Sequence, residues 1–435
     1  MEVPQPQSTE GGSADVRSRG RLVRSPDVTD RKLLTYLGTA MIASGQPVHE
    51  VEEQLRRVSA RLGHPDAQVA ATPTGLTLNL GSGEPASFES INGPLRLDQS
   101  AMVSDIRLGL LTGGLDPEEA LTRLSGLRSL PSRYPGWAMH LGFLAVAFGI
   151  AMILQPGWPN LLVAAAGSVV VLGMSRLAAR AQLLATLLPT VAAFAVALMV
   201  FSAADAGLIE GPLRTLLPPL AVLLPGALMV TGMSELAAGA MVAGSSRLIF
   251  GVVQLLLFTL GVLAAAKVLP VEATQLGNIR VDELGWWAAP TGLVVISVGL
   301  CLLESAPFRQ LPWIGVVLLL AFAAQSVGQL LGGTAVGSFL GALAASLGAS
   351  LVEAVRPQLP RLVVFLPAFW LLVPGSLGLL SVTQLGINPS EAVSTVVQVV
   401  AVICAIALGL MFGSAIARST GRLIRRFRRR RTVPH

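Results

Sequence analysis

Residues 217–236, LPPLAVLLPGALMVTGMSEL, return in altered form at residues 366–385, LPAFWLLVPGSLGLLSVTQL. Each copy contains a proline followed by glycine, and the two prolines, Pro225 and Pro374, lie 149 residues apart. A proline removes one backbone donor from a helix and clashes with the preceding turn. Each copy is therefore predicted to be a kinked or broken apolar helix, and the shared offset indicates a duplicated architecture.

The composition is that of a membrane protein. Hydrophobic residues make up 52% of the 435 and charged residues only 13%, about half the charged share of an ordinary soluble domain. Most acidic residues precede residue 136, and apolar runs with short loops follow. A soluble domain therefore precedes a membrane domain. Nearly all basic residues are arginines, a bias typical of a GC-rich bacterial genome.

Residues 1–30 contain no apolar stretch that could act as a secretory signal, and they are predicted to form a disordered cytoplasmic tail. Residues 31–132 are predicted to form a small cytoplasmic α+β domain, because helical periodicity alternates there with short β-branched stretches. The predicted elements, in chain order, are helices at 33–41 and 48–62, strands at 68–72, 76–80 and 87–91, and helices at 98–112 and 117–127.

Two features of this domain could suggest chemistry. His49 and Glu53 share a helix face, but the spacing HExxH is absent and no second ligand pair follows. Gly81-Ser82-Gly83 is a turn rather than a phosphate cradle, since no lysine follows at the spacing of a P-loop. The sequence therefore predicts no metal site, no cofactor and no enzyme activity.

Windows of about twenty residues, the length that crosses a hydrocarbon core of about 30 Å, predict ten spans. They lie at 137–154, 160–175, 182–203, 215–234, 247–267, 287–303, 312–331, 334–353, 362–382 and 392–416. The membrane domain is thus predicted to be all-α, with five spans in residues 137–267 and five in residues 287–416. Trp137 and Trp286, each after a glycine, open the two groups at the same offset of 149. Because five is odd, the copies would be inverted relative to each other.

The basic residues predict the orientation of the chain. With the N-terminal domain in the cytoplasm, the inside loops carry six of them and the outside loops three. The inside set is Arg176, Arg180, Arg247, Arg309, Arg356 and Arg361, and the outside set is Arg214, Lys267 and Arg280. The arginine-rich tail at 418–435 follows a span directly, which favours an anchor on anionic lipid over a nucleic-acid site. We expect a multi-pass protein of the bacterial plasma (inner) membrane with both termini cytoplasmic.

Inverted repeats are typical of secondary transporters that work by alternating access, with the substrate held beside broken helices near the membrane midplane. The pairs Pro225-Gly226 and Pro374-Gly375 would leave backbone groups unpaired, which is tolerated in a membrane only inside protein or beside a water-filled cavity. The alternative is that these residues merely kink the helices for packing. The matched positions favour transport.

The candidate residues of the transport path are mostly uncharged, because no Asp, Glu, Lys or Arg lies near the centre of a predicted span. The polar candidates that follow the Pro-Gly pairs or lie within spans are Thr231, Ser234, Glu235, Gln254, Gln325, Gln329, Ser381, Thr383 and Gln384. Glu235 aligns with Gln384, so one copy carries an acid where the other carries an amide. Glu235 is therefore the first candidate for a proton-coupling group, ahead of Asp205, Glu304 and Glu353 at span ends.

Several short stretches together resemble the bacterial threonine/serine exporter family. They are Ala43-Ser44-Gly45 leading into Val51-Glu52 and Leu62-Gly63, then Thr72-Pro73-Thr74, then residues 115–120 (LDPEEA), and the two Pro-Gly spans. The resemblance covers residues 31–417 and implies a cytoplasmic N-terminal domain, ten spans, and export of small hydroxylated amino acids driven by the proton motive force. Glu50 departs from the family, which often has arginine before the Val-Glu pair.

Other functions stay open at this point. Relatives split over two polypeptides resemble exporters of dicarboxylates such as succinate, and a membrane-embedded enzyme or a scaffold is a further alternative. The expected partners are an amino-acid substrate, protons and the lipid bilayer, without nucleic acid. Whether the chain forms a homo-oligomer is left open by the sequence.

Overall fold

The computed structural model of the chain describes residues 26–81, 85–269, 279–355 and 392–431. Most of this part is helical. Its elements in order are α1 (Pro26–Ala43), α2 (Val48–Arg61), β1 (Gln68–Thr72), β2 (Gly75–Asn79), β3 (Ser87–Ser90), α3 (Leu97–Thr112), α4 (Pro117–Ser125), α5 (Gly136–Leu154), α6 (Trp158–Ala178), α7 (Gln182–Asp205), α8 (Pro212–Thr215), α9 (Leu217–Leu220), α10 (Gly226–Ala237), α11 (Met241–Val268), α12 (Ala288–Leu303), α13 (Leu311–Val355) and α14 (Ala392–Arg431). Short 3-10 turns lie at Leu127–Ser129, Ala221–Leu223, Gly285–Trp287 and Phe308–Gln310.

The N-terminal unit, residues 26–129, packs helices against a three-stranded antiparallel sheet of order β1-β2-β3. Thr77 of the central strand lies opposite Ala70 on one side and Phe88 on the other. Leu76 and Leu78 are fully buried in a core shared with α1, α2 and α3, as alternation along a half-buried strand requires. The three predicted strands are confirmed, and α2, α3 and α4 begin within one residue of their predicted starts.

The prediction of a disordered tail over residues 1–30 is wrong at its end, because α1 begins at Pro26. Proline suits the first position of a helix, where its missing N–H costs nothing. The first turns are also held in place, since Oδ2 of Asp30 lies 3.0 Å from Nε2 of His64, just beyond α2. Residues 1–25 lie outside the described residues.

Within the described part, seven helices are long and apolar enough to cross a membrane, and the bent pair Pro212–Leu223 and Gly226–Ala237 would make an eighth. These helices leave large apolar side chains exposed, among them Leu162, Val294 and Leu330, as a lipid environment requires. The chain is therefore a multi-pass, mostly helical membrane protein. The predicted span 362–382 lies outside the described residues.

Helix α13 reverses direction within its 45 residues. Gly332 (φ −155°, ψ 22°) and Gly333 (φ 78°, ψ −169°) leave the helical conformation, and the positive φ of Gly333 is one that glycine adopts without strain. A Cβ added at Gly328 would lie 2.7 Å from Cα of Gly337, a contact that a straight helix could not make across nine residues. The reversal therefore falls between the predicted spans 312–331 and 334–353.

Helices α5 and α12 pack closely at two pairs of glycines. A Cβ added at Gly142 would lie 2.6 Å from the carbonyl oxygen of Gly299, and one added at Gly149 would lie 2.7 Å from that of Gly292. Small residues at this spacing let two helix backbones touch, which is the usual way that membrane helices associate. The first helices of the two predicted groups of five, α5 and α12, are therefore in direct contact.

Two membrane helices extend beyond their predicted spans by six residues or more. α11 begins at Met241, six residues before the predicted start of span 247–267, because residues 241–246 continue the helical hydrogen bonding. α14 continues through Arg431. The predicted arginine-rich tail at 418–435 therefore starts as a direct extension of the last helix, and residues 432–435 lie outside the described part.

Candidate functional site

The helix predicted to break at Pro225-Gly226 is broken there. The segments Pro212–Leu223 and Gly226–Ala237 meet at an angle of 67°. Leu224 is extended (φ −68°, ψ 138°), and α10 restarts at Gly226 after Pro225. The restart follows from the chemistry of proline, since a residue without an N–H costs nothing just before a helix but loses a hydrogen bond inside one.

Behind the break, α10 packs directly on α11 through two glycines. A Cβ added at Gly232 would lie 2.8 Å from the carbonyl oxygen of Gly244, and one added at Gly244 would lie 2.6 Å from that of Gly232. One turn further along each helix, Glu235 and Arg247 face each other, with 3.1 Å between Oε2 and Nε. The Glu235 side chain is fully buried and that of Arg247 is 10% exposed, so the ion pair is shielded from water.

The other oxygen of Glu235 reaches the N-terminal unit. Its Oε1 accepts a hydrogen bond of 2.9 Å from the backbone N–H of Val48, the first residue of α2. The residue before it, Pro47, makes no side-chain cap, so the carboxylate takes the place of one. A negative charge at a helix N-terminus is stabilised by the helix dipole. Glu235 therefore connects the broken helix, α11 and the N-terminal unit.

A second carboxylate makes a similar contact. Glu304, at the end of α12, lies close to the backbone of Leu97, the first residue of α3. Burial raises the pKa of Glu304 above its ordinary value. The backbone of Leu97 lowers this pKa, the charge of Asp98 raises it and the charge of Arg96 lowers it. An acid from the membrane helices therefore caps α2, and a second acid lies beside the first turn of α3.

A cavity of about 740 Å³ lies between the N-terminal unit and the membrane helices, beside the broken helix. Its membrane wall comes from the break itself, from α11, from the end of α13 and from α14. The polar residues of its lining are Gln46, Glu50, Gln54, Ser104, Arg107, Thr231, Ser234, Arg247, Gln254, Glu353 and Ser414. This volume is in the range of small-molecule sites, which combine apolar walls with a few placed polar groups.

Four of the lining side chains have buried polar atoms without a hydrogen-bond partner among the described residues. They are Oε1 of Gln46, Oε1 of Gln54, Nε of Arg107 and Nη2 of Arg247. Buried polar groups are normally paired, and one left unpaired costs about 1–3 kcal/mol. Acceptors and cationic donors that share one cavity are suited to a ligand that carries both an ammonium and a carboxylate.

Arg107 keeps its charge in this setting. Burial lowers the pKa of its guanidinium below the ordinary value for arginine. The charges of Glu353 and Glu50 raise this pKa, and the charge of Arg57 lowers it. An arginine is effectively always protonated in proteins, so the cavity contains two guanidinium groups, those of Arg107 and Arg247.

The cavity brings together part of the predicted set. Pro225, Thr231, Ser234 and Gln254 line it, Gly226 lies buried at the start of α10, and Glu235 lies behind Arg247. Gln325 and Gln329 lie near the reversal of α13, where Gln329 is exposed, and they do not line this cavity. The predicted residues of the second copy, Pro374, Gly375, Ser381, Thr383 and Gln384, lie outside the described residues.

The sequence interpretation assigned Arg247 to a cytoplasmic loop, and that assignment is wrong. Arg247 lies within α11 and is buried against Glu235. The apolar residues before it, Met241 to Gly244, were the signal that the helix starts earlier. Gln46, Gln54 and Arg107 were also missed as lining residues, and no local pattern distinguishes them from ordinary surface residues of a soluble domain.

Family models and one curated relative match this chain. The family model ThrE, for threonine/serine exporters, matches residues 32–269, and a second model, described as "Threonine/Serine exporter, ThrE", matches residues 291–416. A protein of Mycobacterium tuberculosis named "Probable threonine/serine exporter" is 24% identical over 434 residues, which cover 94% of this chain and 78% of the relative. No solved structure matches the chain significantly. By these matches, the chain belongs to the threonine/serine exporter family.

Proposed function

We propose that this protein is a secondary transporter that exports threonine and serine from the bacterial cytoplasm across the plasma membrane. The observation that carries the proposal is the cavity at the broken helix, where cationic and acceptor groups that have no hydrogen-bond partner in the described part of the chain lie together. Membership of the threonine/serine exporter family supports the same substrate class. The N-terminal unit and both termini would lie in the cytoplasm.

The charges of the lining favour an amino acid over a dicarboxylate. Two guanidinium groups, on Arg107 and Arg247, share the lining with two carboxyl side chains, those of Glu50 and Glu353. The two acids would repel a succinate dianion even though the two arginines attract it. A zwitterion carries one charge of each sign, so each of its charges can face a group of opposite charge. The hydroxyl groups of Thr231 and Ser234 supply donors and acceptors for the hydroxyl of the substrate.

Alternating access would come from a five-plus-five inverted repeat with ten spans. The break at Pro225 would be one member of the predicted pair of broken helices, and the two arms of α13 on either side of Gly333 would be two of the ten spans. The 149-residue offset relates the start of α11, at Met241, to the start of α14, at Ala392, within two residues. Two opposed bundles moving about a fixed central site is the usual scheme for such transporters.

Glu235 is the proposed site of proton coupling. Protonation would remove the negative charge that faces Arg247 and weaken the acceptor that holds the N–H of Val48. Proton binding would thereby loosen the N-terminal unit from the broken helix. A proton moving down its gradient could in this way drive the opening of one side of the cavity.

The test is transport into inside-out vesicles that contain the full chain. Labelled threonine and serine should accumulate when a proton gradient is imposed, a protonophore should abolish accumulation, and excess succinate should not compete. Thr231→Val, which keeps the shape and removes the hydroxyl, should lower transport of both substrates. Threonine movement that ignores the gradient would remove the proton coupling, and competition by succinate but not serine would favour the dicarboxylate alternative.

A further inference from the structure

We propose that the N-terminal unit supplies part of the substrate site, with Gln46 and Gln54 binding the ammonium group of the amino acid and Arg247 binding its carboxylate. This inference rests on the proposed function and goes beyond it, because a transporter site formed by the membrane helices alone would not involve α2 or the turn before it. The structure places these groups in one cavity from two separate parts of the fold.

The turn that carries Gln46 is fixed on both sides. Gly45 has a φ of 86°, the backbone N–H of Gln46 bonds to the carbonyl oxygen of Met41 at 3.3 Å, and Pro47 follows with restricted φ. The Gln46 residue is 9% exposed, and its Oε1 has no hydrogen-bond partner among the described residues. A buried acceptor on a fixed backbone turn, with no partner among the described residues, is suited to a charged donor.

The bridge through Glu235 brings this turn to the membrane helices. Glu235 contacts Nε of Arg247 through one oxygen and the N–H of Val48 through the other, and Val48 follows Gln46 by two residues. The contact to Arg247 is an ion pair rather than an aligned hydrogen bond, and it leaves Nη2 of the guanidinium unpaired in the described structure. The carboxylate of Glu235 therefore positions both Arg247, in the membrane wall of the cavity, and the turn that carries Gln46, in the wall formed by the N-terminal unit.

The division of roles follows from hydrogen-bond chemistry. An ammonium has three donors and no acceptor, so it pairs with amide oxygens such as those of Gln46 and Gln54. A carboxylate has only acceptors, and a buried guanidinium is its strongest partner. A bound amino acid would thus link the N-terminal unit to α11. Substrate would be bound while the unit is docked, and release would need the two parts to separate.

Equilibrium binding of labelled L-threonine to the purified full chain tests this directly. Gln46→Ala and Gln54→Ala should each weaken binding by about tenfold or more, the value of a hydrogen bond to a charged group. Gln46→Glu, which keeps an acceptor oxygen, should retain most of the affinity. Gln68→Ala, at an exposed position on β1, is the matched control and should bind like the wild type.

Two analogues test the ammonium group and the carboxylate of the ligand separately. N-acetyl-L-threonine lacks the ammonium and L-threonine methyl ester lacks the carboxylate, so neither should compete effectively with L-threonine. Thermal unfolding without ligand establishes that each variant is folded. A variant that unfolds early is replaced by its glutamate counterpart, whose retained or lost binding decides the same point.

The outcomes distinguish a failure of the binding role of the N-terminal unit from a failure of the proposed transport function. If the wild type transports threonine while Gln46→Ala and Gln54→Ala bind as tightly as Gln68→Ala, the role of the N-terminal unit is overturned and transport stands. If N-acetyl-L-threonine competes as well as threonine, the ammonium assignment is overturned. If the wild type neither binds nor transports threonine or serine, the proposed function fails and this inference fails with it.

Discussion

Glu235 and Arg247 form a buried ion pair, with 3.1 Å between Oε2 and Nε, at the junction of the broken helix, α11 and the N-terminal unit. The pair forms because Gly232 and Gly244 let the two backbones touch one turn earlier. Removing one member of a buried pair leaves the other charge uncompensated, which is more damaging than losing both. Replacing either member alone should therefore be costly.

The first prediction concerns stability. Glu235→Ala should lower the free energy of unfolding by about 3–5 kcal/mol, because Arg247 would stay buried without its partner. The double variant Glu235→Ala, Arg247→Ala should recover part of that loss. Thermal unfolding of the purified chain measures both. Glu53→Ala, which removes an exposed pair with Arg57, is the control and should have little effect; similar losses at positions 53 and 235 would contradict the role of burial.

The second prediction concerns proton coupling. Glu235→Gln keeps the shape of the side chain but cannot take up a proton, so the pH dependence of threonine transport should become flat. Its maximum rate should fall too, since Arg247 and the N–H of Val48 lose a charged partner. Initial rates in vesicles across a range of pH give the measurement. A pH profile like that of the wild type would take Glu235 out of the coupling mechanism.

The third prediction concerns the contact of α10 with α11. Gly244→Ala should destabilise the protein by about 1–3 kcal/mol, because its Cβ would overlap the carbonyl oxygen of Gly232 at 2.6 Å. Gly173→Ala, in α6, is the matched control, since its Cβ would meet no described atom within 4 Å. It should be neutral or stabilising, as alanine is the better helix former. Equal unfolding temperatures for the two variants would refute the close contact.

The fourth prediction concerns the break in the helix. Pro225→Ala allows helical hydrogen bonding to continue from the first segment into α10, so it should lower transport by more than it lowers stability. Pro189→Ala is the control, because Pro189 lies inside the continuous helix α7. Transport rates normalised to folded protein compare the two. Wild-type transport by Pro225→Ala would indicate that the proline serves packing only.

The fifth prediction follows from the raised pKa of Glu304. A carboxyl whose pKa is higher in the folded state contributes stability that is fully present below its ordinary pKa of 4.5 and is lost as pH rises through the folded value. The wild type should therefore lose stability relative to Glu304→Gln over a pH range that begins near the ordinary value of 4.5 and extends upward. Unfolding temperatures of both proteins, with Glu53→Gln as the exposed control, measure the difference. A constant difference across that range would contradict the shift.

Much of the fold was predictable because it depends on local patterns. Apolar runs of span length predict membrane helices, periods of three to four and of two predict the helices and strands of the N-terminal unit, and Pro225-Gly226 predicts the break. Each of these signals comes from residues that are neighbours in the chain. The same locality explains the error at Arg247, because a charge beside a predicted span end looks like a loop residue until its partner is known.

The sequence by itself determined the membrane class, the helical segments, the position of the break and the resemblance that names the family. The tertiary structure alone decided which groups meet in the cavity. Glu235 bonds Val48 across 187 positions of sequence, and Gln46, Arg107 and Arg247 come from three separate elements. No spacing or periodicity records such contacts, since they arise only when the N-terminal unit docks and a carboxylate must find partners for its buried charge.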